Sequence, residues 1–220
     1  MRQLASLGAA LILLLAGCAG ARAAVRYQAG DGSPPAESLW WGFDADPTDA
    51  ISMVGPIFSG TWEVRSEGDA PSQPNALCQT GSAQYPALSL GDRVFSDVAL
   101  TARFKPISGR EDQAGGVLLR VRDAKNYYIV RANALEGNVV IFKYVDGRRS
   151  EIKSGAATVP SGTWQLLRAE AIGTRIRGYL GGTLVVEGED STFGDGGAGL
   201  WTKADSVSCF DDVVLGPVGG

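Results

Sequence analysis

The chain has 220 residues, 45% hydrophobic and 20% charged, which is enough for one sizeable core and too little for two. With 20 Lys and Arg against 24 Asp and Glu the formal charge is −4, and Arg148-Arg149 is the longest basic cluster, which argues against a nucleic-acid partner. Histidine is absent, which excludes Ser/His/Asp and Cys/His triads, His-bearing zinc sites and haem with a His ligand.

Residues 1–18 read as a signal peptide. Arg2 supplies a positive end and Leu4 to Leu15 an apolar run, shorter than the roughly 20 residues a membrane span needs. Leu15-Ala16-Gly17-Cys18 then resembles the lipobox of bacterial lipoproteins, in which Cys18 is lipidated and becomes the first residue of the mature chain. Ala21-Arg22-Ala23 is a competing A-x-A cleavage site that would release a soluble protein starting at Ala24. The expected location is the bacterial cell envelope, membrane-anchored through lipid, with a soluble periplasmic or secreted form as the alternative. Residues 19–38 are small, polar and Pro/Gly-bearing, as in a flexible tether.

From residue 39 to residue 216 the pattern is all strand, and 217–220 form a short tail. Val98, Leu100, Ala102 and Phe104 alternate with Ala99, Thr101, Arg103 and Lys105, the period of a half-buried strand. The same alternation runs through GGVLLRVR, NYYIVRAN, NVVIFKYV, TWQLLRAEA and SCFDDVVL. Asp146-Gly147 and Gly181-Gly182 mark hairpins. About twelve short strands without a sustained helical period predict an all-β fold, a two-sheet antiparallel β-sandwich of the jelly-roll kind. Gly194-x-Gly196-x-x-Gly199 matches a dinucleotide fingerprint by letters, but it leads into strand-like AGLW and not a helix, so no nucleotide is expected.

Arg120, Tyr127, Arg131 and Asn133 lie in two neighbouring strand patterns. If those strands pair, these side chains project from one face, where planar Arg and Asn groups bond vicinal hydroxyls and rings stack on sugar C–H faces. Period two places Arg120 on the face of Leu118. The competing reading is Arg–acid pairing on a solvated sheet. Trp201 and Lys203 open a turn that either rims that face or follows a core Trp. Asp44 and Asp46 near the domain start, with Asp211 near its end, offer oxygen ligands for a structural calcium; solvated or Ser/Thr-bonded carboxylates are the alternative. Cys78 and Cys209 form a disulfide if their strands are neighbours or face each other across the sandwich, and are free buried thiols otherwise.

The stretches GTWEVRSEGDAPSQPNALCQT, EDQAGGVLLRVRDAKNYYIVRANALEGNVVIFK, SGTWQLLRAEAIGTRIRGYLGGTLV and GLWTKADSVSCFDDVVL carry a resemblance. From about Trp41 to Leu215 the chain resembles laminin-G-like, concanavalin A-like sandwich domains related to the bacterial 3-keto-disaccharide hydrolases, often labelled family 16 glycoside hydrolases. The resemblance implies a concanavalin A-like jelly roll, a tendency to handle carbohydrate, and attachment to the envelope. The E-x-D-x-x-E strand of true family 16 hydrolases is absent; Glu187-Gly188-Glu189-Asp190 is the nearest run and reads as exposed acids. The expected function is therefore carbohydrate or glycan binding. Two alternatives stand beside it: a glycoside hydrolase or lyase acting on a 3-keto sugar, with Glu111, Asp112 or Glu136 as the acid beside Arg120, and a structural envelope module without a small-molecule site.

Overall fold

A computed structural model of the chain describes residues 38–44 and 54–218. Cys18, the signal peptide, the tether up to residue 37, and Asp46 lie outside the described residues. Every regular element among the described residues is a strand: β1 (Leu39–Trp41), β2 (Ile57–Ser59), β3 (Trp62–Ser66), β4 (Asn75–Gln79), β5 (Ala87–Phe95), β6 (Val98–Ser108), β7 (Ala114–Asp123), β8 (Asn126–Asn133), β9 (Asn138–Val145), β10 (Arg148–Ala156), β11 (Gln165–Ile172), β12 (Arg175–Leu180), β13 (Thr183–Glu189), β14 (Gly196–Trp201) and β15 (Val207–Gly216). They form two antiparallel sheets. One has eight strands, ordered β13-β12-β11-β6-β15-β4-β3 with β1 added along β15, and the other seven, ordered β10-β9-β8-β7-β14-β5-β2. This is the two-sheet sandwich that the alternation predicts.

Alternation decides which side chains enter the space between the sheets. On β6, Leu100, Ala102 and Phe104 enter the core and meet Leu167 and Ala169 of β11, while Arg103 and Lys105 take the outer face. On β8, Tyr128, Val130 and Ala132 go inward, whereas Tyr127 and Ile129 join a second cluster on the outer face of the seven-stranded sheet. Each large apolar side chain so buried contributes roughly 1.5–3 kcal/mol. Asp146 and Gly147, with φ of 50° and 80°, form the tight turn from β9 to β10, which sets Arg149 opposite Tyr144 and Glu151 opposite Phe142.

One irregularity corrects the sequence reading. The pairing of β7 with β8 breaks between Leu119 and Asp123, and Arg120 has a φ of 51°. This bulge shifts the alternation: Leu118 takes the outer face, Leu119 the core, and Val121 the outer face again. Arg120 consequently turns inward, away from Leu118's side. It is fully buried, donating from Nε to Ser96 O at 3.0 Å and from Nη1 to Phe193 O at 2.8 Å, with Asp97 3.7 Å from Nη2. These bonds tie two loops to the sandwich from the core side of the sheet.

Cys78 of β4 and Cys209 of β15 are register partners and form a disulfide with a Cα–Cα distance of 4.0 Å. The bridge lies on the outer face of the eight-stranded sheet with Ile107 and Trp164 against it. Nearby, Lys105 Nζ reaches Glu67 at 2.9 Å and Asp69 at 2.6 Å and lies over the Trp164 ring. Asp211, two residues beyond Cys209, is buried. Its carboxylate accepts from Ser72 N at 2.8 Å, from Ser72 Oγ and from Asp212 N at 2.7 Å. Asp44 accepts from Asn75 N at 3.3 Å. These carboxylates are thus engaged by backbone and hydroxyl donors. Among the described residues, the one set of three metal-ligating atoms in mutual reach is that of Glu67, Cys78 and Cys209, and the disulfide occupies both sulfurs.

Candidate functional site

The outer face of the seven-stranded sheet gathers an aromatic floor and a polar end. Gly116 on β7 pairs with Arg131 on one side and Trp201 on the other. A Cβ at Gly116 would stand 3.3 Å from the Trp201 ring, so glycine leaves the space that the indole fills. Trp201 stacks on Tyr85 at 5.8 Å, Tyr85 meets Tyr144 edge-on at 5.6 Å, and Tyr144 stacks on Tyr127 at 5.0 Å. Arg149 of β10 reaches back over this floor, its Cζ 4.4 Å from the Phe142 centroid, 4.8 Å from Tyr85 and 5.8 Å from Trp201.

At the polar end, β8 finishes with Arg131 and Asn133 on the outer face. Arg131 Nη2 pairs with Glu136 at 2.9 Å, and its Cζ lies 5.5 Å from the same Phe142 ring. Asn133 Nδ2 donates to Asp112 Oδ1 at 2.6 Å and to Glu136 Oε1 at 3.1 Å, so one amide joins two carboxylates. Lys203 Nζ closes on Asp112 Oδ2 at 2.6 Å. Asp205 accepts the backbone N–H groups of Arg110, Glu111 and Asp112, which staples the loop before β7 to the turn after β14 and holds Asp112 and Lys203 together. The bonds from Arg131 and its charge hold the Glu136 carboxyl well below the usual range, at about 2, even though partial burial opposes this. Burial pushes the Tyr127 phenol up.

Asn133, Asp112 and Arg131 are only 0%, 1% and 2% exposed, and four buried N–H groups here still have no partner: Arg131 Nε and Nη1, Arg149 Nη1 and Trp201 Nε1. An unmade bond at such a group costs about 1–3 kcal/mol.

Of the residues singled out in the sequence, the fold brings together Arg131, Asn133, Trp201, Lys203, Asp112 and Glu136. Tyr127 belongs to the same face but is covered by Tyr144, which makes it a support beneath the floor. Glu111 stands in solvent with only its N–H tied to Asp205, and Arg120 is on the far side of the sheet. Tyr85, Phe142, Tyr144 and Arg149 join the site in the fold without a motif of their own. The signal for three of them was present: alternation through NVVIFKYV puts Phe142 and Tyr144 on one face, and the Asp146-Gly147 turn carries that face to Arg149. Tyr85 arrives through the pairing of β14 with β5, which no local pattern announces.

No protein-family model matches the chain. It is 28% identical to the levanase of Bacillus subtilis (strain 168) over 158 residues, 70% of this chain and 21% of that enzyme, so it spans about a fifth of its curated relative. Among solved structures it is similar to the carbohydrate binding module CBM66 from Bacillus subtilis, with a TM-score of 0.60 and 24% identity over 72% of this chain and 92% of the module. A prokaryotic β-1,3-1,4-glucanase (lichenase) from a mouse hindgut metagenome superposes with a TM-score of 0.52 and 11% identity, over 82% of this chain and 99% of the enzyme. The fold is the concanavalin A-like jelly roll shared by such glycosidase and lectin-type domains.

Proposed function

We propose that this chain is an exported domain that binds glycan on the outer face of its seven-stranded sheet. The observation that carries the reading is the cluster of four unpartnered buried N–H groups on Arg131, Arg149 and Trp201 beside a stacked aromatic floor. Sugars bring what such a face lacks, oxygen acceptors at short spacing and C–H surfaces that lie on rings. The likeness to a carbohydrate binding module and to part of a levanase supports the same reading. Binding is favoured over hydrolysis by the acids themselves. A glycosidic general acid must hold its proton near the working pH, whereas Glu136 gives up its proton at about pH 2 and Asp112 is closed by Lys203.

Calorimetry against a glycan panel that includes levan tests this. A ligand should emerge whose affinity falls about 10- to 100-fold in Arg131→Ala, measured at a temperature where the variant is folded. Absence of any glycan ligand, or equal affinity in folded Arg131→Ala and Tyr85→Ala variants, overturns it. Export with lipid attachment at Cys18 is proposed from the lipobox-like run alone. Radiolabelled palmitate should enter the full chain and fail to enter Cys18→Ser, and equal labelling of the two removes the anchor.

A further inference from the structure

The placement of two guanidinium groups narrows the ligand further. Arg131 and Arg149 come from strands on either side of β9, yet both Cζ atoms lie over the one Phe142 ring, at 5.5 Å and 4.4 Å. Glu136 neutralises Arg131 at 2.9 Å, and Lys203 and Asp112 neutralise each other at 2.6 Å. Arg149 has no carboxylate within ion-pair distance among the described residues. Glu151, the next acid on its strand face, is exposed and does not reach it. Each guanidinium also keeps a buried Nη1 without a partner. A cation without a carboxylate partner held against rings, beside a second guanidinium with unused N–H donors, is costly on its own. It becomes favourable when a planar anion enters, since a carboxylate accepts two parallel N–H bonds from a guanidinium fork.

We propose that the site takes an acidic sugar and that Arg149, with an unused N–H donor of Arg131, receives its carboxylate. The ligand class is thus a uronate-bearing glycan, the ring lying toward Tyr85 and Trp201 and its hydroxyls toward the Asn133, Asp112 and Glu136 end. This deepens the glycan-binding reading and rests on it.

The test compares uronate glycans, polygalacturonate and alginate among them, each beside its carboxyl-reduced form and beside sulfated glycans, with neutral glycans on the same array. The expected result is binding at least about tenfold tighter for a carboxylate form than for its reduced partner, weakening as salt is raised. Arg149→Gln should remove that preference, and Arg149→Lys, which keeps the charge and loses the fork, should restore only part of it. Thermal melting of each variant shows that the comparison is between folded proteins. Neutral or sulfated glycans bound as well as or better than the carboxylate forms, or a preference unchanged in Arg149→Gln, overturns the acidic-sugar assignment and leaves the glycan-binding reading standing. No binding to any glycan overturns that reading as well.

Discussion

The two outer faces of the sandwich both carry charged and aromatic side chains, and they use them in different ways. On the eight-stranded sheet the charges close on one another. Arg168 pairs with Glu170 at 2.7 Å, Tyr179 donates to Glu170 at 2.9 Å, Arg177 pairs with Glu187 at 2.6 Å, and Lys105 bridges Glu67 and Asp69. The indole N–H groups of Trp40 and Trp164 are the exceptions there, buried outside hydrogen-bond geometry, each beside a carboxylate, Asp212 and Asp69. On the seven-stranded sheet several unpartnered N–H groups share one patch, next to rings and a carboxylate pair joined by a single amide. Density of charge therefore does not mark a ligand face. Exposed ion pairs are common and nearly neutral in energy, whereas clustered buried donors without acceptors are rare.

The largest expected break between the faces comes from the disulfide. Its two ends are 131 residues apart in sequence, so opening it in the Cys78→Ala, Cys209→Ala double variant should lower stability by about 2–5 kcal/mol. Melting should fall by about 5–15 °C, while ligand affinity measured well below that melting point stays unchanged, because the bridge lies on the face away from the site. A loss of affinity of tenfold or more at a temperature where the variant is folded would show that the faces are coupled.

Acid titration separates the faces with opposite signs. Burial, only partly offset by the bonds from Ser72 and Asp212 N–H, raises the Asp211 carboxyl to about 7, so the folded chain holds that proton more tightly than the unfolded one. Its stabilising contribution is complete below the unfolded value of 3.8 and is lost as pH rises through about 7. Melting temperature should therefore decline from about pH 4 to 7, and Asp211→Asn should flatten that slope; a parent curve that rises across this window contradicts the assignment. Glu136 does the reverse. Its carboxyl is depressed from 4.5 to about 2, so the contribution of its pair with Arg131 is present above the unfolded value and lost as pH falls through about 2. That decline should be the smaller of the two, since the Glu136 side chain is 41% exposed and solvent screens the pair. Glu136→Gln should remove it, and an unchanged acid limb in that variant counts against the pair.

Much of the fold was legible because period-two alternation is a local property. The inward residues of β6, β8 and β9 can be read from their own neighbours, and so can the turn at Asp146-Gly147. Half of the site was legible for the same reason: Arg131 and Asn133 stand two apart on one strand and share its outer face. Arg120 was misplaced because the bulge inserts one residue into the count, and nothing in GGVLLRVR marks where a strand skips a step. The disulfide and the stack of Tyr85 on Trp201 each depend on which distant strands become neighbours, β4 with β15 and β5 with β14. Two cysteines and an aromatic residue before a strand are compatible with many such pairings, and only the assembled sheets choose among them.

Leu39 of β1 pairs with Leu215 of β15, so the first and last strands run side by side in the eight-stranded sheet. Both chain directions therefore depart from the side of the domain opposite Trp201 and Arg149. A bead, a sensor chip or another domain linked directly to Leu39 or to Gly216 would join the sheet that lies across the core from the aromatic floor. For such short links, strand order sets the orientation on a support in the same way at either strand.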